Sequence, residues 1–259
     1  MSLTRALVVP HVPTLLMEEA AGREGAVVRA LRRTGETLRG EGVTLAVVAT
    51  THWQPSGPFL VDPTARHPTV TDFYGFPVEL AYDPPGEPAL ARKLVEAGQA
   101  VGLPVEEGSH GADHGVTVPL HFLFPAADVP TVILSVSRRD LGECRWWGEA
   151  VARVLAADPR GAALLISGCL AHDLAAFRAG RSADTERFDA AVLDLLRGGH
   201  FEQLESLNPE LVSLGRPEGE LRDLALLGGA LGGGARGDLL AYDGSLPGVG
   251  MAVVEFSPG

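Results

Sequence analysis

Cysteine, positive charge and long apolar runs are all scarce in this 259-residue chain, and each scarcity removes a class of protein. The two cysteines, Cys144 and Cys169, stand apart and neither belongs to a CxxC pair, so a disulfide framework is not expected. Lys plus Arg number 21 against 33 Asp plus Glu, a formal net charge of -12. Nucleic-acid binding needs a basic patch to neutralise phosphates, and none is visible. The acidity serves solubility instead. No apolar run nears the ~20 residues that span a bilayer, and no basic segment precedes an apolar stretch at the N-terminus. A soluble, cytoplasmic protein without membrane or nucleic-acid partners is therefore expected.

Apolar residues make up 46% of the chain, cut into short runs by 32 glycines and 19 prolines. That is enough to bury a large core, and a single domain over 1–259 is expected. Buried-strand runs occur at 3–10 (LTRALVVP), 43–50 (VTLAVVAT), 129–136 (VPTVILSV) and 161–168 (GAALLISG), with closing strands at 236–244 and 248–256. Helical spacing of apolar residues marks 22–42, 87–102, 114–125, 138–157 and then 182–199, 200–207 and 217–233. Alternation of the two with few hairpin signals predicts an α/β fold, a central mixed β-sheet flanked by helices. Residues 53–86 are rich in Pro, Gly and aromatics and read as a long functional loop. The cluster GGALGGGARG follows a helix pattern instead of joining a strand to a helix, so it reads as a helix cap and loop and not as a phosphate cradle.

The chemistry-bearing residues sit at junctions. His11, His52 and His172 each follow a predicted strand, His114 opens a predicted helix, and Glu220 lies near the start of another. In open α/β sheets ligands bind outside the carboxyl ends of the strands, where imidazoles distant in sequence converge. Two histidines and one carboxylate on one face of an ion, with other positions open, suit a non-haem Fe(II) oxygenase. Zinc accepts the same ligand types. Glu255, in a strand pattern, is the rival carboxylate. Cys169, three residues before His172, lines the same cleft or is a small buried hydrophobe. His67, His110, His121 and His200 have no comparable context and read as core or surface residues.

Several of these segments, taken in order, resemble one family. PHVPTL at 10–15, THW at 51–53, DFYGFP at 72–77, DHGVTVPL at 113–120, SGCLAHDL at 167–174, GELRDLALLGGAL at 219–231 and YDGSLPGVGMAVV at 242–254 are similar to motifs of the class III extradiol ring-cleavage dioxygenases. That family includes the protocatechuate 4,5-dioxygenase catalytic subunit and the DOPA dioxygenases. The resemblance implies that His11, His52 and Glu220 bind Fe(II), and that His172 is the acid and base. It further implies that His114 contacts the substrate, and that a small aromatic diol is opened by dioxygen to a semialdehyde-type product. Tyr74 and Trp53 are candidate pocket walls, and a homo-oligomer is expected. In the DOPA dioxygenase branch the position of Glu220 looks like histidine, so the chain mixes features of two branches. A zinc hydrolase and a non-catalytic interaction protein on the same scaffold are the rival readings.

Overall fold

The computed structural model describes residues 3–73, 75–78, 80–180 and 183–257. The four long apolar runs become β1 (Leu3–Val9), β2 (Val43–Thr50), β5 (Thr131–Ser135) and β6 (Gly161–Ser167). They stand together as β5-β2-β6-β1, all parallel, at the centre of an eight-stranded sheet. Strands covered on both faces are expected to be nearly continuously apolar, and these are. Ala6, Val8, Leu45, Val47, Leu164 and Ile166 face one core, while Leu7, Val9, Ala46, Val48, Ala163 and Leu165 face the other. The full order is β4-β3-β5-β2-β6-β1-β8-β7. On one flank, β7 (Gly237–Asp243) and β8 (Met251–Phe256) pair antiparallel, with β8 antiparallel to β1. On the other, β3 (Phe59–Asp62) runs antiparallel to β5, and β4 (Val105–Glu107) parallel to β3. The sheet is thus mixed, as expected, although β3 and β4 arise within segments that carried no strand signal.

Helices cover both faces. On one lie α2 (Ala26–Gly40) and α4 (His114–Leu123), preceded by the short α1 (Thr14–Ala20). Helix α2 turns Val27, Leu31, Thr34 and Leu38 inward at the spacing of a single helical stripe. The other face carries α3 (Pro88–Ala100), α5 (Leu141–Ala157), α7 (Ala183–Gly198) and α9 (Arg222–Leu231). Among the described residues, the regular elements between β6 and β7 are all helical: α6 (Leu174–Ala179), α7, a 3-10 turn at Phe201–Ser206, α8 (Pro209–Gly215) and α9. The glycine cluster is a cap, since α9 stops at Leu231 and Gly232 takes φ 75°.

Helix α9 begins at Arg222, not at 217. Residues 218–221 form a turn in which Glu220 (φ 49°) and Leu221 (φ 68°) are both left-handed, with Arg216 (φ 46°) just before. Non-glycine residues in that region cost on the order of 1 kcal/mol each, and such strain collects at functional sites. Among the described residues no helix is long and apolar enough to cross a membrane.

Candidate active site

Because β1, β6 and β2 are adjacent and parallel, their carboxyl ends open on one edge of the sheet, and the residues just past them meet there. His11 follows β1 and His52 follows β2, and their rings lie 4.5 Å apart in an edge contact. His114, at the start of α4, places its ring 4.1 Å from that of His52. One nitrogen of each of these three histidines lies within 4.8 Å of the others. The strained turn before α9 adds Glu218, whose Oε2 is 3.2 Å from His11 Nε2 and whose Oε1 is 3.4 Å from His52 Nε2. His172, past β6, comes within 4.0 Å of the same carboxylate.

Hydrogen bonds behind the rings decide which nitrogens face inward. The Ser167 hydroxyl gives its proton to the Gly115 carbonyl, so it can only accept from His11, at 3.0 Å from Nδ1. Neutral His11 therefore carries its proton on Nδ1 and turns the Nε2 lone pair toward Glu218. Burial is the leading cause that lowers the His11 pKa and keeps the ring neutral. Gly115 is glycine for a reason of space: a Cβ there would lie 2.3 Å from Thr50 Oγ1, at the end of β2. His52 Nδ1 donates to Asp113 Oδ2 at 3.1 Å, with Asp72 Oδ2 further off at 3.7 Å. His114 Nδ1 donates to Asp72 Oδ2 at 2.7 Å, and its backbone N–H to Asp72 Oδ1 at 3.0 Å. Each ring is thus pinned through Nδ1, leaving Nε2 for the cleft.

The electrostatics point the same way. Burial opposes charge on Glu218, but the imidazoles around it, protonated His52 facing it from Nε2, outweigh that and hold the carboxyl well below its usual range. Thr51 Oγ1 steadies Glu218 by donating at 2.8 Å. Burial also opposes charge on His52, yet its bonds to Asp113, Asp72 and Glu218 raise it to about 12. Ligand atoms bound at ~2.1 Å to a common ion stand ~3.0–3.4 Å apart; Glu218 reaches His11 Nε2 at 3.2 Å through Oε2 and His52 Nε2 at 3.4 Å through Oε1. The donor types, two imidazoles and one carboxylate, are those that iron(II) and zinc accept, with the ion displacing the proton on His52 Nε2.

Beside the cluster lies a cavity of about 250 Å³. Its floor is His11, His52, His114, His172 and Glu218, and its walls include Val12, Pro13, Phe76, Phe177, Leu246 and Val249. A largely apolar pocket with convergent polar groups at one end suits a flat aromatic ring carrying oxygens. His172 and Glu218 also border a wider, open groove of about 780 Å³, so His172 stands between the cavity and solvent.

The histidines expected from sequence, His11, His52, His114 and His172, meet in one place, but the expected carboxylate does not. Glu220 is 61% exposed and pairs with Arg222 at 2.7 Å. Taking 217–233 as continuous helix placed Glu220 on its first turn, whereas the left-handed turn sends Glu220 outward and Glu218 in. The pair of glutamates flanking Gly219 was the available signal. Glu255, the rival, lies on β8 and faces Arg5 at 3.8 Å. Cys169 is buried and lines the cavity. Trp53 is not a wall of it; the indole stacks on His110 instead. Tyr74 lies outside the described residues. Ser167, Asp72 and Asp113 were not singled out from sequence, although each lies in or beside a quoted motif.

A family model described as the catalytic LigB subunit of aromatic ring-opening dioxygenase matches residues 5–254. The chain is 36% identical over 132 residues to a 4,5-DOPA dioxygenase extradiol of Escherichia coli (strain K12), a stretch covering 49% of this chain and 47% of that protein. It is 25% identical over 253 residues to a 3,4-dihydroxyphenylacetate 2,3-dioxygenase of Escherichia coli, covering 89% of this chain and 90% of the relative. The first of these matches spans about half the relative's length. An uncharacterised Escherichia coli K12 protein of known crystal structure shares the fold, with a TM-score of 0.76 at 22% identity, covering 97% of this chain and 99% of that one.

Proposed function

The chain belongs to the family of the catalytic LigB subunit of aromatic ring-opening dioxygenases, and on that premise we propose that it is an Fe(II)-dependent extradiol dioxygenase acting on a small catecholic substrate. The observation that carries the reading is the convergence of His11 Nε2, His52 Nε2 and Glu218 at 3.2 and 3.4 Å beside an apolar cavity. His11, His52 and Glu218 hold the metal. Ferrous ion bound there supplies adjacent open positions for the diol and dioxygen and the means of passing electrons between them.

The protein's own groups do the rest. The aromatic ring packs against Phe76, Val249 and their neighbours, with its oxygens toward the histidines. His172, 29% exposed and 4.0 Å from Glu218, takes a hydroxyl proton from the diol as base and returns it later as acid. His114, fixed by Asp72, turns Nε2 to a substrate oxygen and holds it in place. The apolar walls exclude bulk water from the ring-opening step. The reading also takes 1–259 as one catalytic domain of a cytoplasmic homo-oligomer.

The test is oxygen uptake. Protein loaded anaerobically with Fe(II) is expected to consume dioxygen with members of a catechol panel, and zinc-loaded protein is expected to consume none. Absence of uptake, together with metal-dependent hydrolysis of an ester or amide panel, would select the zinc hydrolase instead.

A further inference from the structure

Behind His52 lies a chain of side chains that the reaction does not use. Asp113 Oδ2 accepts from two imidazoles at once, His52 Nδ1 at 3.1 Å and His110 Nε2 at 3.0 Å. The other oxygen, Oδ1, caps α4 by accepting from Val116 N at 3.2 Å. His110 lies flat on the Trp53 indole, with ring centroids 4.9 Å apart and planes within 10°. Its backbone N–H, and that of Gly111, donate to the buried Asp62 carboxylate at 2.8 and 3.2 Å. His110 is thus held by its ring, its backbone and its Nε2, and the only side chain to which Nε2 donates is Asp113.

This matters because His52 Nδ1 has two carboxylates within reach, Asp113 at 3.1 Å and Asp72 at 3.7 Å. Asp72 is needed elsewhere, on His114. A second donor on Asp113 Oδ2 fixes that oxygen on the far side of His52 and shares its charge, which sets both the ring's orientation and its strength as a ligand. We propose that His110, clamped by Trp53, is a positioning residue that acts through Asp113 on the metal-binding His52. The inference rests on His52 being a metal ligand, as the proposed function has it.

The experiment measures cobalt(II) binding to the metal-free full chain by titration calorimetry and by the ligand-field absorption bands of the bound ion. His110→Met and His110→Gln are similar in length, and only Gln keeps a donor where Nε2 stood. His110→Met is expected to weaken binding by about tenfold or more and to shift the absorption bands. His110→Gln is expected to restore most of both. Trp53→Leu, which leaves His110 in place but unclamped, is expected to fall between them and decides the matter if His110→Met does not fold. Equal affinity and spectra in all variants, or equal losses in the Met and Gln variants, would overturn the proposal. Failure of the unsubstituted protein to bind cobalt would instead overturn the metal-site reading on which it rests.

Discussion

Glu218 and Glu220 are two residues apart and chemically identical, so exchanging each for alanine in turn asks where the metal carboxylate is. The Glu218 side chain is 10% exposed and lies 3.2 and 3.4 Å from two imidazole nitrogens. An ion accepted by those nitrogens stands well within 4 Å of the carboxylate, where two unit charges at an effective dielectric of about 20 attract by ~4 kcal/mol. At ~1.4 kcal/mol per tenfold, that predicts a loss of about a thousandfold in metal affinity for Glu218→Ala. Glu220 is 61% exposed and its partner is Arg222, so Glu220→Ala should leave affinity unchanged within about twofold. Titration calorimetry of metal-free protein with zinc or cobalt reads both values. Tight binding by Glu218→Ala with loss in Glu220→Ala would refute the reasoning and with it the turn geometry of 218–221.

Three further expectations follow from the same geometry. His172→Phe should keep the metal, since His172 stands 4.0 Å from Glu218 and outside the tight histidine trio, and should lower kcat by about 100-fold or more; loss of metal from this variant would make His172 a ligand. Ser167→Ala removes the acceptor that keeps the His11 proton on Nδ1 and should weaken metal binding by about 10- to 100-fold at unchanged secondary structure by circular dichroism. Asp223 is buried on the first turn of α9, and burial is the leading cause that raises its pKa to about 6 from 3.8. Because the folded pKa lies above the unfolded one, the fold loses stability here as pH rises from about 4 to about 6. Urea unfolding of metal-free Asp223→Asn should therefore match the parent near pH 4 and exceed it by up to about 3 kcal/mol at pH 8; a pH-independent difference would count against it.

The parts legible in the sequence were those set by local patterns of apolar residues. β1, β2 and β6 are covered on both faces, so they appear as nearly continuous apolar runs, broken only near their starts by Thr4, Arg5 and Thr44. Their ends are sharp enough that His11 and His52 could be placed at the sheet's working edge. β3 and β4 were not legible, because strands of four and three residues at the flank of the sheet leave too short a pattern. That Glu218 and not Glu220 faces the histidines was not legible, for a backbone reason. Glu220 and Leu221 take left-handed conformations without being glycine, in a turn tied by bonds from Thr51 and Gln54 to Glu218, distant in sequence. His110 was read as a core or surface residue because its stacking partner, Trp53, comes from a distant loop, and no local pattern signals a ring contact between loops.

If the apolar cavity beside His11, His52 and Glu218 is where an aromatic diol is opened by dioxygen, turnover of a catechol by the Fe(II)-loaded protein under oxygen-18 gas, with mass analysis of the product, will show it. A ring-opened product labelled at both cleaved carbons is expected, the aldehyde label being read after rapid reduction to the alcohol. A ring-opened product with no labelled oxygen, or an intact ring, is the opposite outcome.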